Sequence, residues 1–127
     1  MLTQKDYCDY ETCVALMEIG CRIETEWYIH QPSYERGSCY LCFGIPRETS
    51  VLDECDYIPR LSLYEAQKWL REEKFLLIVV DRLLNGEYVF SVVDILNYSE
   101  EKNGTANSYE EALLEGIKEA VKILKKE

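Results

Sequence analysis

The chain has 127 residues, 47% of them apolar, and a net charge of −10. This length predicts that residues 1–127 form a single domain that buries enough surface to fold without disulfides or bound metals. The acidic balance would repel a phosphate backbone and argues against direct nucleic-acid binding. The longest apolar run, Phe75–Val80, is too short to cross a bilayer, and the first residues lack the apolar core of a signal peptide. We therefore expect a cytoplasmic protein that does not enter the membrane.

The first half of the chain predicts one short helix and two strands. Asp9 is a typical N-cap, and apolar residues then recur at helical spacing until Gly20, a typical residue just beyond a helix end. Alternating apolar and polar residues predict a half-buried strand over Arg22–His30. A second strand is predicted over Ser38–Phe43. The stretch Gly44–Pro59 has no readable pattern, and we expect a long irregular connection there.

The second half predicts a helix followed by two long strands. Ser62 and Glu65 have the spacing of a capping box, in which each side chain bonds the other residue's amide. The helix that begins there should run to about Glu73. Two apolar stretches, Phe75–Leu84 and Glu87–Tyr98, are then predicted as strands.

The dipeptide Asn85–Gly86 between these strands predicts a two-residue type I′ hairpin turn, which needs positive φ at both central residues. Such a turn would pair Arg82 with Val89 and would place Asp81 opposite Phe90. Both faces of this hairpin are largely apolar. One face is then free to be covered or to mediate association, and a homodimer is one expectation.

The last part of the chain predicts a loop and an amphipathic helix. Ser99–Asn107 is polar and is expected to be a loop. Ser108 and Glu111 repeat the capping-box spacing, and an apolar stripe of about 120° follows to the C-terminus. The predicted order is α-β-β-α-β-β-α. We therefore expect an α+β fold in which helices pack on one four-stranded, mostly antiparallel sheet.

The six cysteines all lie within the first 55 residues and are expected to be reduced thiols. Cys39 and Cys42 have the CxxC spacing that zinc and redox sites use. In a strand, however, this spacing would put the two thiols on opposite faces. The only histidine, His30, lies on the polar face of a predicted strand. We therefore assign no catalytic, cofactor-binding or metal-binding residue, and a small metal- or thiol-dependent enzyme stands as an alternative.

Exposed aromatic residues are the better candidates for function. The chain has ten tyrosines, a residue that gives apolar contact area with a polar tip. Tyr64 and Trp69 lie at the outer edges of the helix that begins at Ser62, and we predict that they contact a protein partner. The competing interpretation is that they only flank the core.

Asp94, an acid in an apolar context, is expected at a sheet end near water.

Three segments, Glu11–Gly20, Tyr57–Lys74 and Ser108–Ala120, together carry a resemblance. They are similar to a family of small uncharacterised proteins from phage-derived and mobile-element regions of gut bacteria. In that family a Pro-x-x-[Ser/Thr]…Trp-[Leu/Phe]-Arg-Glu helix precedes a strand pair, and a [Ser/Thr]-Tyr-Glu-Glu-Ala helix closes the chain. The resemblance covers most of the chain except the cysteine-rich connection. It implies a fold and a setting but no activity.

These observations together predict a non-catalytic accessory protein of phage origin that binds another macromolecule. A second alternative follows from the charge of −10. An acidic protein can mimic nucleic acid and occupy the basic groove of a host protein.

Overall fold

A computed structural model describes residues 2–30, 40–43 and 57–126. These residues form two compact units, an N-terminal unit of Asp9–Leu61 and a C-terminal unit made of Met1–Cys8 and Ser62–Glu127. The expectation of a single domain stays a prediction. In chain order the elements are α1 Tyr10–Glu18, β1 Trp27–His30, β2 Tyr40–Phe43, β3 Tyr57–Pro59, α2 Leu63–Lys74, β4 Leu76–Arg82, β5 Tyr88–Asp94, β6 Ser99–Ala106 and α3 Tyr109–Lys125.

The α+β class is confirmed, but the single four-stranded sheet is wrong. The described strands form two separate antiparallel sheets, with the orders β2-β1-β3 and β4-β5-β6. Each sheet contains an edge strand that the sequence did not predict, β3 in one and β6 in the other. Over the residues that the structure describes, the order of helices and strands is therefore α-β-β-β-α-β-β-β-α.

In the N-terminal unit, local hydrogen bonds explain where helix α1 and strand β1 begin. The Asp9 carboxylate accepts from the Thr12 amide at 2.8 Å, which confirms the predicted N-cap. The Thr25 hydroxyl donates to the Trp27 carbonyl at 2.6 Å. Such side-chain bonds to the backbone compete with ladder pairing, so the strand begins at Trp27 and not at Arg22. The short strand β3 lies in the stretch that was expected to be an irregular connection, and it pairs with β1.

In the C-terminal unit, α2 and α3 pack together, and α3 contacts all three strands of the sheet. Ile78 and Val92 are paired across β4 and β5 and are almost fully buried, as are Leu70 of α2 and Ile117 of α3. The Gln67 side-chain amide also donates to the Ile78 carbonyl at 3.0 Å, which ties α2 to β4. The capping box at the start of α2 is confirmed in both directions.

The register of the β4–β5 hairpin differs from the prediction by one residue. The Leu83 amide donates to the Glu87 carbonyl at 2.7 Å, and the Gly86 amide donates to the Leu83 carbonyl at 3.0 Å. Gly86 has φ +93°, whereas Asn85 has no positive φ. The loop is therefore a three-residue connection that ends in a left-handed glycine, and the predicted type I′ turn is wrong. Arg82 consequently pairs with Tyr88.

This one-residue difference decides which side chains share a face, because successive strand residues point to opposite faces. Ile78, Val80, Phe90 and Val92 lie together on the face that α3 covers. The opposite face carries Leu77, Val79, Val89 and Val93, and all except the more exposed Val79 are half-buried. The predicted apolar second face is thus present with different residues. The homodimer through it stays a prediction.

Strand β6 corrects the predicted loop Ser99–Asn107. Its exposed residues Glu100, Glu101 and Lys102 give no apolar alternation that would mark a strand. Charged residues on an edge strand oppose pairing with further strands, so this composition suits its position. A Cβ at Gly104 would lie 2.7 Å from the Phe90 ring, so the glycine allows β6 to lie close to that ring.

Replacing Gly86 by Ala should lower the free energy of unfolding by about 1 kcal/mol, because Ala resists positive φ. Space is available at this position, so the backbone angle alone causes the loss. Asn85→Gly is the control. It should also destabilise the protein, since it removes the Asn85 side chain, which bonds Glu87 at 2.8 and 3.0 Å. Urea denaturation of both variants measures the difference, and a stabilised Asn85→Gly would contradict the observed turn.

Candidate functional site

Tyr64 and Trp69, the two predicted contact residues, lie on different sides of α2. The Tyr64 side chain is 63% exposed. Trp69 is half-buried, and the Lys74 ammonium lies 5.6 Å from the centroid of its ring. Positions five apart on a helix differ by about 140° around its axis. The contact role of these two residues stays a prediction, and each would have to contact a partner separately.

The cysteine and histidine candidates fall largely outside the described residues. Cys39 is not described, and the side chains of Cys42 and His30 are not described either. Three other cysteines, Cys8, Cys13 and Cys21, are buried. Among the described residues, no group of three or more His, Cys, Asp or Glu side chains could hold a metal ion. The predicted CxxC pair therefore lies outside the part of the chain whose side chains the structure describes.

The N-terminal unit presents three large apolar side chains on one sheet face. Trp27 pairs directly with Phe43 across β1 and β2, and the adjacent pair on the same face is Ile29 with Leu41. The Trp27 and Phe43 rings meet edge to face with their centroids 5.4 Å apart. Ile29 is buried, but the other three side chains are exposed, and Phe43 is 72% exposed. We call Trp27, Leu41 and Phe43 the Trp27 patch.

The C-terminal unit presents a second set of exposed apolar side chains at one end of its sheet. Phe75 follows α2 and has φ +58°, and its carbonyl accepts from the Ile95 amide at 3.0 Å. Leu96 and Tyr98 lie in the turn between β5 and β6, where Tyr98 has φ +54°. Leu96 is 68% and Tyr98 is 89% exposed. We call Phe75, Leu96 and Tyr98 the aromatic end.

The carboxylate of Asp94 holds the turn that carries this end. It accepts from the Leu96 amide at 3.0 Å, from the Asn97 amide at 3.3 Å and from the Asn97 side chain at 2.9 Å. These bonds form an Asx turn, which fixes the backbone beyond β5. Asp94 thus ends strand β5, as expected for a sheet-end residue. The sequence pattern does not single out the apolar turn residues that follow Asp94, because the short apolar run there predicts a continuing strand.

An open polar cleft lies at the opposite end of the same sheet. Its volume is about 390 Å³, and the residues that line it are Glu87, Thr105, Ala106, Asn107, Glu111, Leu114 and Glu115. The Glu87 carboxylate accepts from Asn85 at 2.8 Å, and the Glu115 carboxylate lies 3.9 Å from the Lys118 ammonium. The three carboxylates can attract a cation, but the lining has no histidine or cysteine that could act as a nucleophile.

No protein-family model, curated protein or solved structure matches this chain. The resemblance of Glu11–Gly20, Tyr57–Lys74 and Ser108–Ala120 to phage-derived proteins therefore stays a prediction. Among the described helices, none is both long and apolar enough to cross a membrane. Function has to be inferred from the two exposed apolar surfaces and the cleft.

Proposed function

We propose that this protein is a non-catalytic accessory protein that acts by binding another protein, and that the Trp27 patch is a contact surface. The supporting observation is that Trp27, Leu41 and Phe43 are exposed together on one face of a hairpin. Tryptophan is enriched among the residues that dominate binding energy at interfaces. Its setting in this proposal is the cytoplasm of a bacterium that carries a phage-derived element.

The geometry of the patch favours binding because the rings are already positioned. The edge-to-face contact of Trp27 with Phe43 restricts both side chains before any partner arrives. Binding would therefore cost less conformational entropy, because these two side chains are already ordered. Fully burying a large apolar side chain stabilises by about 1.5–3 kcal/mol, and much of that gain is still available at Phe43.

Site-specific photo-crosslinking from Leu41 should capture the partner, since this exposed side chain lies within the patch. Lys122, exposed on α3, provides the control position. The captured protein is then purified, and its affinity is measured for Trp27→Ala, Phe43→Ser and Lys122→Ser. We expect the two patch variants to lose at least about 2 kcal/mol of binding free energy, roughly thirtyfold. Unchanged affinity in both folded patch variants would refute the proposed surface.

The acidic-mimic alternative predicts a different salt response. Carboxylates on α3 are interleaved with lysines. Lys118 lies 3.9 Å from Glu115, and Lys122 lies 3.4 Å from Glu119. This interleaving weakens the resemblance to a phosphate backbone. A mimic would bind a nucleic-acid-binding protein in competition with DNA and would lose affinity steeply with salt. An apolar contact should keep its affinity when salt is raised.

Two further alternatives have direct tests. A homodimer through Leu77, Val79, Val89 and Val93 would give a dimeric mass in light scattering at micromolar concentration, and a Val79→Asp variant should then be monomeric. A metal-dependent enzyme would contain stoichiometric metal after purification without an affinity tag. That content should fall in a Cys39→Ser, Cys42→Ser double variant.

A further inference from the structure

The aromatic end of the C-terminal unit carries unusual backbone angles. Phe75 and Tyr98 are the non-glycine residues with positive φ among those described, and they belong to adjoining turns at the same end of the sheet. A left-handed conformation costs a bulky residue roughly 1–2 kcal/mol. Such strain persists where the surrounding structure imposes it, and it is often found at sites that bind. Here it accompanies side chains that remain exposed, Tyr98 at 89% and Phe75 at 46%.

The surroundings of this end have an excess of negative charge. Glu100 and Glu101 are exposed, and their carboxylates accept from neutral donors, the Asn103 amide at 2.7 Å and the Ser99 hydroxyl at 2.6 Å. Neither donor carries a positive charge that would offset the carboxylate it bonds. Glu73, at the end of α2, is exposed as well.

The nearby cations are fewer, and two of them have partners. The Arg71 guanidinium lies 3.4 Å from the Glu72 carboxylate, and Lys74 lies over the Trp69 ring. Lys102 is the third cation along these two segments. Residues 71–74 and 94–102 contain five carboxylates and three cations, a net charge of −2. Positive charge on a partner, placed beside its apolar contact, would therefore complement this end.

We propose that the aromatic end binds an apolar segment of another protein that is flanked by Lys or Arg. The apolar residues contact Phe75, Leu96 and Tyr98, and the basic residues lie against Glu100 and Glu101. This surface belongs to a different unit from the Trp27 patch, so it is a second contact beyond the proposed function. A second copy of the chain would bring like charges together, and nucleic acid or an anionic membrane would be repelled.

A selection from random peptides displayed on phage, with the full chain immobilised, tests the inference without a known partner. We expect the enriched peptides to combine apolar or aromatic residues with Lys or Arg. Synthetic copies of these peptides should bind Leu96→Asp and Tyr98→Asp at least about tenfold more weakly than the unmodified chain. Leu84→Asp is the matched control, because Leu84 is a fully exposed apolar residue at the opposite end of the same sheet.

Two further variants separate side-chain loss from backbone disruption and test the charge. Tyr98→Asn removes the ring but introduces a residue that tolerates positive φ. It should also weaken binding about tenfold. A Glu100→Gln, Glu101→Gln double variant should weaken binding and flatten its salt dependence. The inference is overturned if no peptide is enriched, if the peptides lack basic residues, or if they bind the Tyr98 variants normally. If the selected peptides bind only the Phe43→Ser variant more weakly, the result would overturn this inference and would support the Trp27 patch as the surface that binds them.

Discussion

Replacing Gly116 by Val is expected to lower the free energy of unfolding by about 2–3 kcal/mol, through overpacking between α3 and the sheet. A Cβ at Gly116 would lie 2.5 Å from Ile78 Cγ2 and 3.5 Å from Phe90 Cδ2. Ile78 and Phe90 belong to the buried face of the sheet, so neither can move into solvent. Valine is also a better helix former than glycine, and any loss therefore reports the clash and not helix propensity.

A double-mutant cycle makes this prediction specific to one contact. Ile78→Ala alone should cost about 2–5 kcal/mol, because it leaves a cavity beneath α3. The added methyl groups of Gly116→Val can occupy part of that cavity, so the second substitution should be far less destabilising in the Ile78→Ala background. Lys122→Val, on the exposed side of the same helix, is the control and should change stability by less than about 0.5 kcal/mol.

Chemical denaturation of the four proteins of the cycle gives the coupling energy, which should reach about 1–3 kcal/mol. Additive losses would mean that α3 does not approach β4 at Gly116. The packing of the C-terminal unit would then have to be revised, together with the assignment of Ile78, Val80, Phe90 and Val92 to the covered face.

Local signals predicted the helices well because a helix end is determined within one turn. Asp9 and Ser62 each accept from the amide three residues later, as their spacing indicated. The Ser108 hydroxyl likewise accepts from the Glu111 amide at 3.2 Å, which is the N-cap half of the predicted capping box. Each of these bonds joins residues that are neighbours in sequence, so no knowledge of the tertiary structure was needed.

The hairpin register could not be taken from Asn85–Gly86 alone, since this dipeptide suits both the two-residue turn and the three-residue loop. Tertiary packing separates the two. The predicted register would place Asp81 opposite Phe90, on a face that buries the ring. The observed register pairs Phe90 with Val80 and leaves Asp81 exposed on the other face. Burying an unpaired carboxylate is costly, so the packed sheet favours the longer loop.

The edge strands and the aromatic end were missed for a related reason. β3 has three residues and β6 is polar, so neither shows the apolar alternation that identifies a half-buried strand. The positive φ of Phe75 and Tyr98 depends on the two turns that meet at the end of the sheet. Aromatic residues rarely adopt that conformation, and sequence pattern therefore favoured continuous strands there.

Tyr98 links this strain to the second binding surface, and replacing it by glycine should raise stability while it weakens binding. Tyr98→Gly should be more stable than Tyr98→Ala by about 1–2 kcal/mol, since only glycine accepts φ +54° without strain. Because the Tyr98 side chain is 89% exposed, its removal costs little apolar burial. Thermal unfolding of the two variants measures the difference.

Both variants should nevertheless lose binding of the selected peptides by about tenfold or more, because both lack the ring. An equally stable pair would mean that the backbone at residue 98 is not held in the left-handed region. A tightly binding Tyr98→Gly would mean that the ring is dispensable. A partner that contacts the ring would explain an exposed tyrosine in a strained conformation, and higher stability combined with weaker binding in Tyr98→Gly is the result that this explanation requires.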